Sequence, residues 1–127
     1  MEVRRYIIIN IFLFYFTFGC NNIIPMGQLV FKNCKVYLNE ELFTGKYEMF
    51  RGDKYVLSKA IKGVLKNEKT FKNKILLMEK KFSSCGSGMQ KIYDLKGNKV
   101  SEGLFENRKR VGRWKYFVND SVYFLKY

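Results

Sequence analysis

Short apolar runs separated by turn-forming residues continue from Leu29 onward, and this pattern constrains the fold more than any other feature. Tyr, Phe, Val and Ile recur beside Lys and Asn, and the only proline of the chain, Pro25, precedes the pattern. β-branched and aromatic residues favour strands, so a mostly β domain is predicted. The predicted strands are 29–31, 34–38, 46–50, 54–57, 61–66, 74–82, 90–94, 99–105, 113–118 and 122–127.

The turns between these strands predict successive antiparallel hairpins. Gly, Asn and Asp are favoured in such turns because they tolerate positive φ. The clearest turn signals lie at 51–53, 95–98, 106–109 and 119–120. Segment 113–118 alternates large apolar side chains with basic ones, which predicts one aromatic and one basic face. Segment 74–82 fits a long strand or the start of a short helix, and the β context favours the strand.

The first twenty residues have the layout of an export signal. Two arginines precede a mainly apolar run over residues 6–18, and a small residue then precedes Cys20. A spanning helix needs about 20 apolar residues, and the polar pair Asn21-Asn22 ends this run sooner. Residues 1–19 are therefore predicted to be a signal helix that is removed. The predicted fold class is a mostly β antiparallel sheet of successive hairpins after this N-terminal signal helix.

The tetrapeptide Thr17-Phe18-Gly19-Cys20 resembles a bacterial lipobox, in which the cysteine receives a lipid and becomes the mature N-terminus. The resemblance implies a lipid anchor on Cys20, a tether over 20–28 and a domain over 29–127. It also implies a location at the cell membrane or outer membrane, facing the periplasm or the exterior. Thr17 and Phe18 stand where the usual motif has an aliphatic and a small residue. Two alternatives therefore stay open: an uncleaved signal anchor, and ordinary signal cleavage with a structural cysteine at position 20.

The charge balance points to anionic partners. The chain has 24 basic and 11 acidic residues, and only three of these 35 lie in the predicted signal segment. A net charge of +13 favours phosphate head groups, acidic polysaccharide, nucleic acid or an acidic protein, but it says little about the fold. For an exported chain, the membrane surface ranks above nucleic acid. A composition rich in Lys and Asn for reasons of solubility or genome bias explains the charge equally well.

Cys34 and Cys85 remain once Cys20 is assigned to the lipid. An even pair in an oxidising compartment is compatible with a disulfide. Two free, small buried or edge residues are an equal alternative where the envelope is not oxidising.

Parts of the chain resemble one another. Residues 62–69 and 102–109, an offset of 40, share a charged residue, Gly, two apolar residues, a charge, Asn and two charged residues. A weaker copy begins at 43–48, with Gly45 lying 18 positions before Gly63. Offsets of 18 and 40 are close to one and two units of about 20 residues, which is a length typical of repeats that build stacked arrays.

Residues 91–117 resemble the variant MORN repeats found in many bacterial envelope proteins and in proteins catalogued as antitoxin components. Gly97, Ser101-Glu102-Gly103 and Gly112-Arg113-Trp114 match the glycine turn, the Gly step and the Gly-x-Trp step of that pattern. The resemblance covers about 43–127, although Lys72 and Lys74 replace Gly and Trp in the middle unit. Glycines permit positive φ and close strand approach, and the indole covers the neighbouring hairpin. The repeat-turn structural residues are then Gly45, Gly63, Gly97, Gly103, Gly112 and Trp114.

Catalytic and metal-binding motifs are scarce in the sequence. It contains no histidine, which removes the commonest general base and metal ligand. Nucleophile-elbow, phosphate-loop and Cys-x-x-Cys motifs are absent from it as well. Gly86-Ser87-Gly88 is interpreted as a flexible turn and Arg51-Gly52-Asp53 as a hairpin turn rather than an adhesion motif. Glu102 and Glu106 are interpreted as surface partners of lysines rather than an acid and base pair. No catalytic residue, metal or cofactor is predicted.

The sequence and the MORN resemblance together predict a lipid-anchored envelope protein with a non-catalytic binding or structural domain. Its expected partner is a protein or an anionic component of the envelope, and nucleic acid is the weaker expectation. One alternative is an antitoxin or immunity protein that neutralises a toxin by covering it. Another is a cationic module that docks on anionic lipid head groups.

Overall fold

A computed structural model describes residues 22–127; the predicted signal segment and Cys20 lie outside this part of the chain. Its architecture is mostly β, with successive antiparallel hairpins, which confirms that part of the predicted fold class. The strands are β1 (Ile23–Pro25), β2 (Val30–Lys32), β3 (Lys35–Leu38), β4 (Glu41–Leu42), β5 (Gly45–Arg51), β6 (Lys54–Ile61), β7 (Val64–Lys72), β8 (Ile75–Ser84), β9 (Ser87–Tyr93), β10 (Lys99–Glu106), β11 (Lys109–Val118) and β12 (Ser121–Lys126).

The strands form one large and one small sheet. The large sheet has nine strands in the order β1-β5-β6-β7-β8-β9-β10-β11-β12, and the small sheet has the order β2-β3-β4. From β5 to β12 every neighbouring pair is antiparallel, whereas β1 pairs with β5 in parallel. A 3-10 helix, Met26–Gln28, connects β1 to the small sheet. Within residues 22–127 no helix has the length and apolarity needed to cross a membrane.

Two-residue turns that begin with asparagine shape the hairpins. In five of them the asparagine has φ between 45° and 51° and the following residue has φ between 61° and 68°. Two successive positive φ values are the mark of a type I′ turn, whose twist matches that of paired strands. The five turns are Asn33-Cys34, Asn39-Glu40, Asn73-Lys74, Asn107-Arg108 and Asn119-Asp120. The predicted turns over 106–109 and 119–120 contain two of these.

The prediction of one strand over 61–66 is wrong. β6 ends at Ile61 and β7 begins at Val64, with a turn between them in which Lys62 has φ 48° and Gly63 has φ 77°. The apolar residues on both sides of Gly63 concealed this turn. Segment 74–82 is a strand, as predicted, because β8 occupies Ile75–Ser84.

Part of the predicted tether belongs to the fold. Ile23–Pro25 pairs with Lys46, Tyr47 and Glu48 of β5. Ile24 and Met26 pack against the buried cluster of the domain, so residues 23–28 are fixed to the sheet rather than a free connection to Leu29.

The main core lies where the small sheet covers one face of the large sheet. Its buried members are Leu29, Val36, Phe43, Tyr47 and Ala60. Backbone hydrogen bonds join the layers, because the Val36 amide donates to the Gly63 carbonyl at 2.8 Å and the Gly63 amide donates to the Phe43 carbonyl at 2.8 Å. Burial raises the pKa of Tyr47 above its ordinary value, because the charged phenolate is disfavoured away from water. The small sheet therefore forms a second layer over one half of the large sheet. Among the described strands, the other half has a single layer.

Candidate functional site

A surface of cations and aromatic rings lies on one face of the last three strands. It consists of Lys99, Arg113, Lys115, Phe117 and Phe124, and we refer to it as the cation–aromatic surface. Side chains two apart on a strand share a face, and the register pairs Lys115 with Phe124 across β11 and β12. Arg113, Lys115 and Phe117 therefore project from the same side of the sheet as Phe124.

The cations of this surface lie against the rings. The Arg113 guanidinium carbon is 3.7 Å from the centroid of Phe124. Lys99 and Lys115 place their Nζ atoms 5.2 and 5.1 Å from the centroid of Phe117. Cations within about 6 Å of a ring are attracted to its face, by about 0.5–1 kcal/mol at exposed sites. The rings thus hold three positive charges together that would otherwise repel one another.

Among the described residues, one carboxylate forms a salt bridge with the cation–aromatic surface. Glu102 Oε2 lies 3.0 Å from Lys99 Nζ, and its backbone pairs with Lys115 in the register. Glu102 thus acts as the surface partner of a lysine, as predicted from the sequence. Arg113 and Lys115 add two positive charges beyond the Lys99–Glu102 pair, so the surface keeps a net positive charge. Phe124 is 48 % exposed, so the surface presents positive charge and apolar area together.

On the opposite face, Trp114 is fully buried against Gly103. β11 bulges here, since Glu102 pairs with Lys115 but Leu104 pairs with Val111. The bulge brings Gly112-Arg113-Trp114 opposite Gly103, and a Cβ on Gly103 would meet the indole at 2.5 Å. Trp114 Nε1 donates to the Leu104 carbonyl at 2.8 Å. Gly103 and Trp114 therefore meet in space, and the indole covers the neighbouring strand.

Three polar side chains close over this indole. The Arg110 guanidinium carbon lies 4.6 Å from the Trp114 ring centroid, and Arg110 Nη1 donates to the Tyr116 hydroxyl at 2.7 Å. The Tyr116 and Tyr127 hydroxyls also hydrogen-bond each other. The bond from Tyr116, followed by that from Arg110, lowers the pKa of Tyr127. This cluster fixes Arg110 over the ring.

The predicted glycines have different roles. Gly63, Gly97 and Gly112 have positive φ, of 77°, 86° and 70°, which a residue with a Cβ adopts only at a cost. Gly45 begins β5 at φ 153° with its Cβ position against the Phe43 ring. Gly103 has no positive φ and is required by the close approach of Trp114.

The predicted equivalence of 62–69 with 102–109 is wrong in local structure. Gly63 lies in the turn before β7, whereas Gly103 lies within β10. Both segments contain Gly followed by apolar residues, but one glycine supplies a turn and the other makes room for an indole.

Cys34 and Cys85 form a disulfide with their Cα atoms 5.9 Å apart. It joins the β2–β3 turn to the β8–β9 turn, and so ties the small sheet to the large one. The turn predicted over Gly86-Ser87-Gly88 is shorter than expected, because Ser87 and Gly88 already belong to β9. A Cβ on Gly88 would collide with the Lys81 backbone, so close strand approach requires this glycine.

The remaining predicted sites have simple surroundings. The turn between β5 and β6 consists of Gly52 and Asp53, since Arg51 is the last residue of β5, and Asp53 pairs with Lys72 at 3.1 Å. The hydrogen bond from Lys72 lowers the pKa of Asp53. Among residues 22–127, no group of three or more acidic or cysteine side chains is placed to hold a metal ion. Cys20 lies outside the described residues.

Sequence reasoning missed Lys99, Arg110 and Phe124 as members of these clusters. Arg110 follows the Asn107-Arg108 turn, and the bulge places it beside a residue four positions further along the chain. The alternation of basic and aromatic residues over 113–118 signalled the surface but not its partners on β12.

No protein-family model, curated protein or solved structure matches this chain.

Proposed function

We propose that this chain is an exported protein held at a membrane by a lipid on Cys20, with a β domain that binds a partner without catalysis. The signal-like first twenty residues support the anchor. The resemblance to variant MORN repeats supports a binding or spacing role for the hairpins. The cation–aromatic surface carries the binding part of the proposal, because it combines excess positive charge with exposed apolar area.

Anionic lipid head groups are the partner that this surface favours. A lipid on Cys20 would keep the domain close to a membrane at all times. Basic residues near an anionic bilayer contribute about 1 kcal/mol each, and an apolar side chain such as Phe is buried favourably at the boundary between head groups and acyl chains. Arg113 and Lys115 beside the exposed Phe124 provide both contributions.

The anchor is tested by intact mass and membrane fractionation of the full chain beside its Cys20→Ala variant. Wild type is expected to lose residues 1–19, gain acyl mass and fractionate with the membrane, whereas Cys20→Ala does none of these. A Cys34→Ser/Cys85→Ser variant is the matched control and should keep the acyl mass. Retention of the N-terminus by both forms, or release of both as soluble protein, would refute the anchor.

Docking is tested on the full chain reconstituted in nanodiscs of neutral lipid and of lipid mixed with an anionic species. Anionic lipid should slow hydrogen exchange in β11 and β12, and added salt should reverse the effect. Arg113→Gln/Lys115→Gln should weaken docking by about 2 kcal/mol. Lys59→Gln/Lys66→Gln makes the same change in charge at two exposed positions elsewhere and should retain docking.

Equal exchange on both kinds of nanodisc would refute docking on lipid while leaving the anchor intact. Co-purification with one protein of the producing cell, lost in Arg113→Gln/Lys115→Gln, would then favour the antitoxin or immunity alternative.

A further inference from the structure

The two edges of the nine-stranded sheet differ. One edge is β1, which has three residues and ends at Pro25. The other is β12, which has six residues, no proline and an unbroken register with β11. Native proteins protect sheet edges with short strands, proline or bulges, because an unprotected edge pairs readily with another strand. Among the described strands of this sheet, β12 is therefore the edge that is open to pairing.

β12 has the composition of a strand that is paired on both sides. Its six residues are all exposed, and the four in the middle are the apolar residues Val122, Tyr123, Phe124 and Leu125. Tyr123 and Leu125 lie on the same face as Trp114. Val122 and Phe124 lie on the opposite face. A further strand beside β12 would therefore remove apolar area from water on both faces of the sheet.

The main-chain groups that β12 presents at this edge belong to alternate residues. In an antiparallel pair, residues that exchange hydrogen bonds with their partner alternate with residues whose N–H and C=O groups point away from it. The Tyr127 amide donates to the Gly112 carbonyl at 2.9 Å, so every second residue back from Tyr127 bonds to β11. The N–H and C=O groups of Val122, Phe124 and Lys126 therefore point outward from the sheet edge.

We propose that β12 pairs with β12 of a second copy of this chain, antiparallel and across a twofold axis at Phe124. In this register Phe124 lies opposite its equivalent, and Val122 lies opposite Lys126 of the second copy. All three outward residues of each copy then exchange main-chain hydrogen bonds, whereas a shift by two residues pairs only two of them. On the other face, Tyr123 lies opposite Leu125 of the second copy, and aromatic–aliphatic pairs of this kind stabilise a sheet.

This register keeps like charges apart. Lys126 is the one charged residue of β12, and like charges directly opposite each other destabilise a sheet. The two Lys126 side chains are offset by four residues, about 13 Å along the strand, which exceeds the Debye length of about 8 Å at physiological salt. The twofold axis is perpendicular to the sheet, so the cation–aromatic surfaces of both copies face the same side and form one larger surface.

The register is tested by disulfide cross-linking of the full chain purified in detergent. Opposite Cα atoms of a hydrogen-bonded pair are about 5.5 Å apart, which is within the reach of a disulfide. Phe124→Cys is therefore expected to form a dimer under mild oxidation, linked through residue 124 in mapped peptides. Val122→Cys is the matched control, because its equivalents lie about 13 Å apart along the strands, and wild type controls for the other cysteines. A dimer yield from Phe124→Cys no greater than that from Val122→Cys would overturn the proposal.

Val122→Pro tests the main-chain pairing and leaves the Phe124 ring in place. The Val122 N–H points outward, so proline removes a donor to the second copy and no hydrogen bond to β11. Sedimentation equilibrium of the full chain should show dimerisation about tenfold weaker than in Val122→Thr, because two hydrogen bonds are lost per dimer. Retained exchange protection in β10 would show that the variant is folded. Equal dimerisation of the two folded variants would overturn pairing through β12.

Salt separates this association from docking on lipid. Both copies are strongly basic, so added salt should strengthen dimerisation, whereas it should weaken docking. Dimers that dissociate as salt is added would indicate an ionic contact elsewhere and would overturn the proposal. A complex with a different protein that is lost in Val122→Pro, without a disulfide-linked dimer of Phe124→Cys, would assign the edge to a strand of that protein instead. None of these results bears on the acyl mass at Cys20.

Discussion

The two ends of the large sheet are stabilised differently. Around β5 and β6 the small sheet forms a second layer, and five hydrophobic residues are buried in a contiguous cluster. Around β10 and β11 there is no second layer among the described strands, and the buried hydrophobic side chains are Phe105 and Trp114. The first region distributes its burial over many side chains, whereas the second concentrates it on one indole held against a glycine.

This comparison explains why the candidate sites differ. A second layer creates an interior, and its incomplete fit leaves a cleft of about 440 Å³ beside the Cys34–Cys85 disulfide. A single layer exposes both faces, so charged side chains lie over rings, as Arg110 does over Trp114 and Arg113 over Phe124. The covered region therefore contains a cleft, whereas the uncovered region presents charged side chains and rings on an open face.

Trp114→Ala is expected to have the largest effect. Removal of a buried Trp destabilises by about 3–5 kcal/mol, and here no second layer can close the space. Hydrogen exchange of the full chain should show lost protection in β10 to β12 and retained protection in β5 and β6. Uniform loss across the large sheet would contradict the separation of the two regions.

Cys34→Ser/Cys85→Ser should affect the other end. The disulfide spans 51 residues, and the loop-entropy relation gives about 4 kcal/mol as an upper estimate, with measured values often smaller. Denaturant unfolding should show the loss of stability, and exchange should rise in β2 to β4 before β10 to β12. Faster exchange confined to the C-terminal strands would reverse the comparison.

Gly103→Ala tests whether packing of the Trp114 indole on Gly103 stabilises the single-layer region. The added Cβ would meet the indole at 2.5 Å, and overpacking of this kind costs about 1–3 kcal/mol. Gly27→Ala is the matched control, because a Cβ at Gly27 meets nothing within 4 Å and its φ is not positive. Thermal unfolding should separate the two variants; equal stability would mean that the indole does not pack on Gly103.

The smallest effect concerns pH and Tyr55. Burial, together with its hydrogen bond to Glu48 at 2.5 Å, raises the pKa of Tyr55 to about 12 from 10.0. The neutral phenol is favoured in the folded state, so its contribution is complete below pH 10 and is lost as the pH rises towards 12. Tyr55→Phe should lose less stability over that interval, measured by denaturant titration. An unchanged pH profile would contradict the raised pKa.

Local signals predicted much of the fold. The turns at Gly52, Asn107 and Asn119 follow from residues that tolerate positive φ, and the alternation over 113–118 predicted which side chains share a face. The Lys62-Gly63 turn was missed because apolar residues flank it on both sides. β1 was missed because its pairing with β5 is parallel and depends on residues more than twenty positions away.

The sites depended on contacts that no local pattern reports. Cys34 and Cys85 were equally compatible with free thiols until the two turns were placed beside each other. The Gly-x-Trp step singled out Trp114 in the sequence, but the contact of its indole with Gly103 results from the bulge in β11. The cleft beside the disulfide had no signal in the sequence, since it is lined by segments from 31 to 86 that meet only in the folded chain.

The sequence alone determined the β class, most of the hairpin turns, the excess of positive charge and the export-like N-terminal segment. Each of these depends on neighbouring residues or on composition. Only the tertiary structure decided which face of the sheet is covered, that the two cysteines meet, and where a cleft and a charged aromatic surface arise. The physical reason is that period and turn chemistry specify which side chains share a face, whereas packing between distant strands specifies what that face contacts.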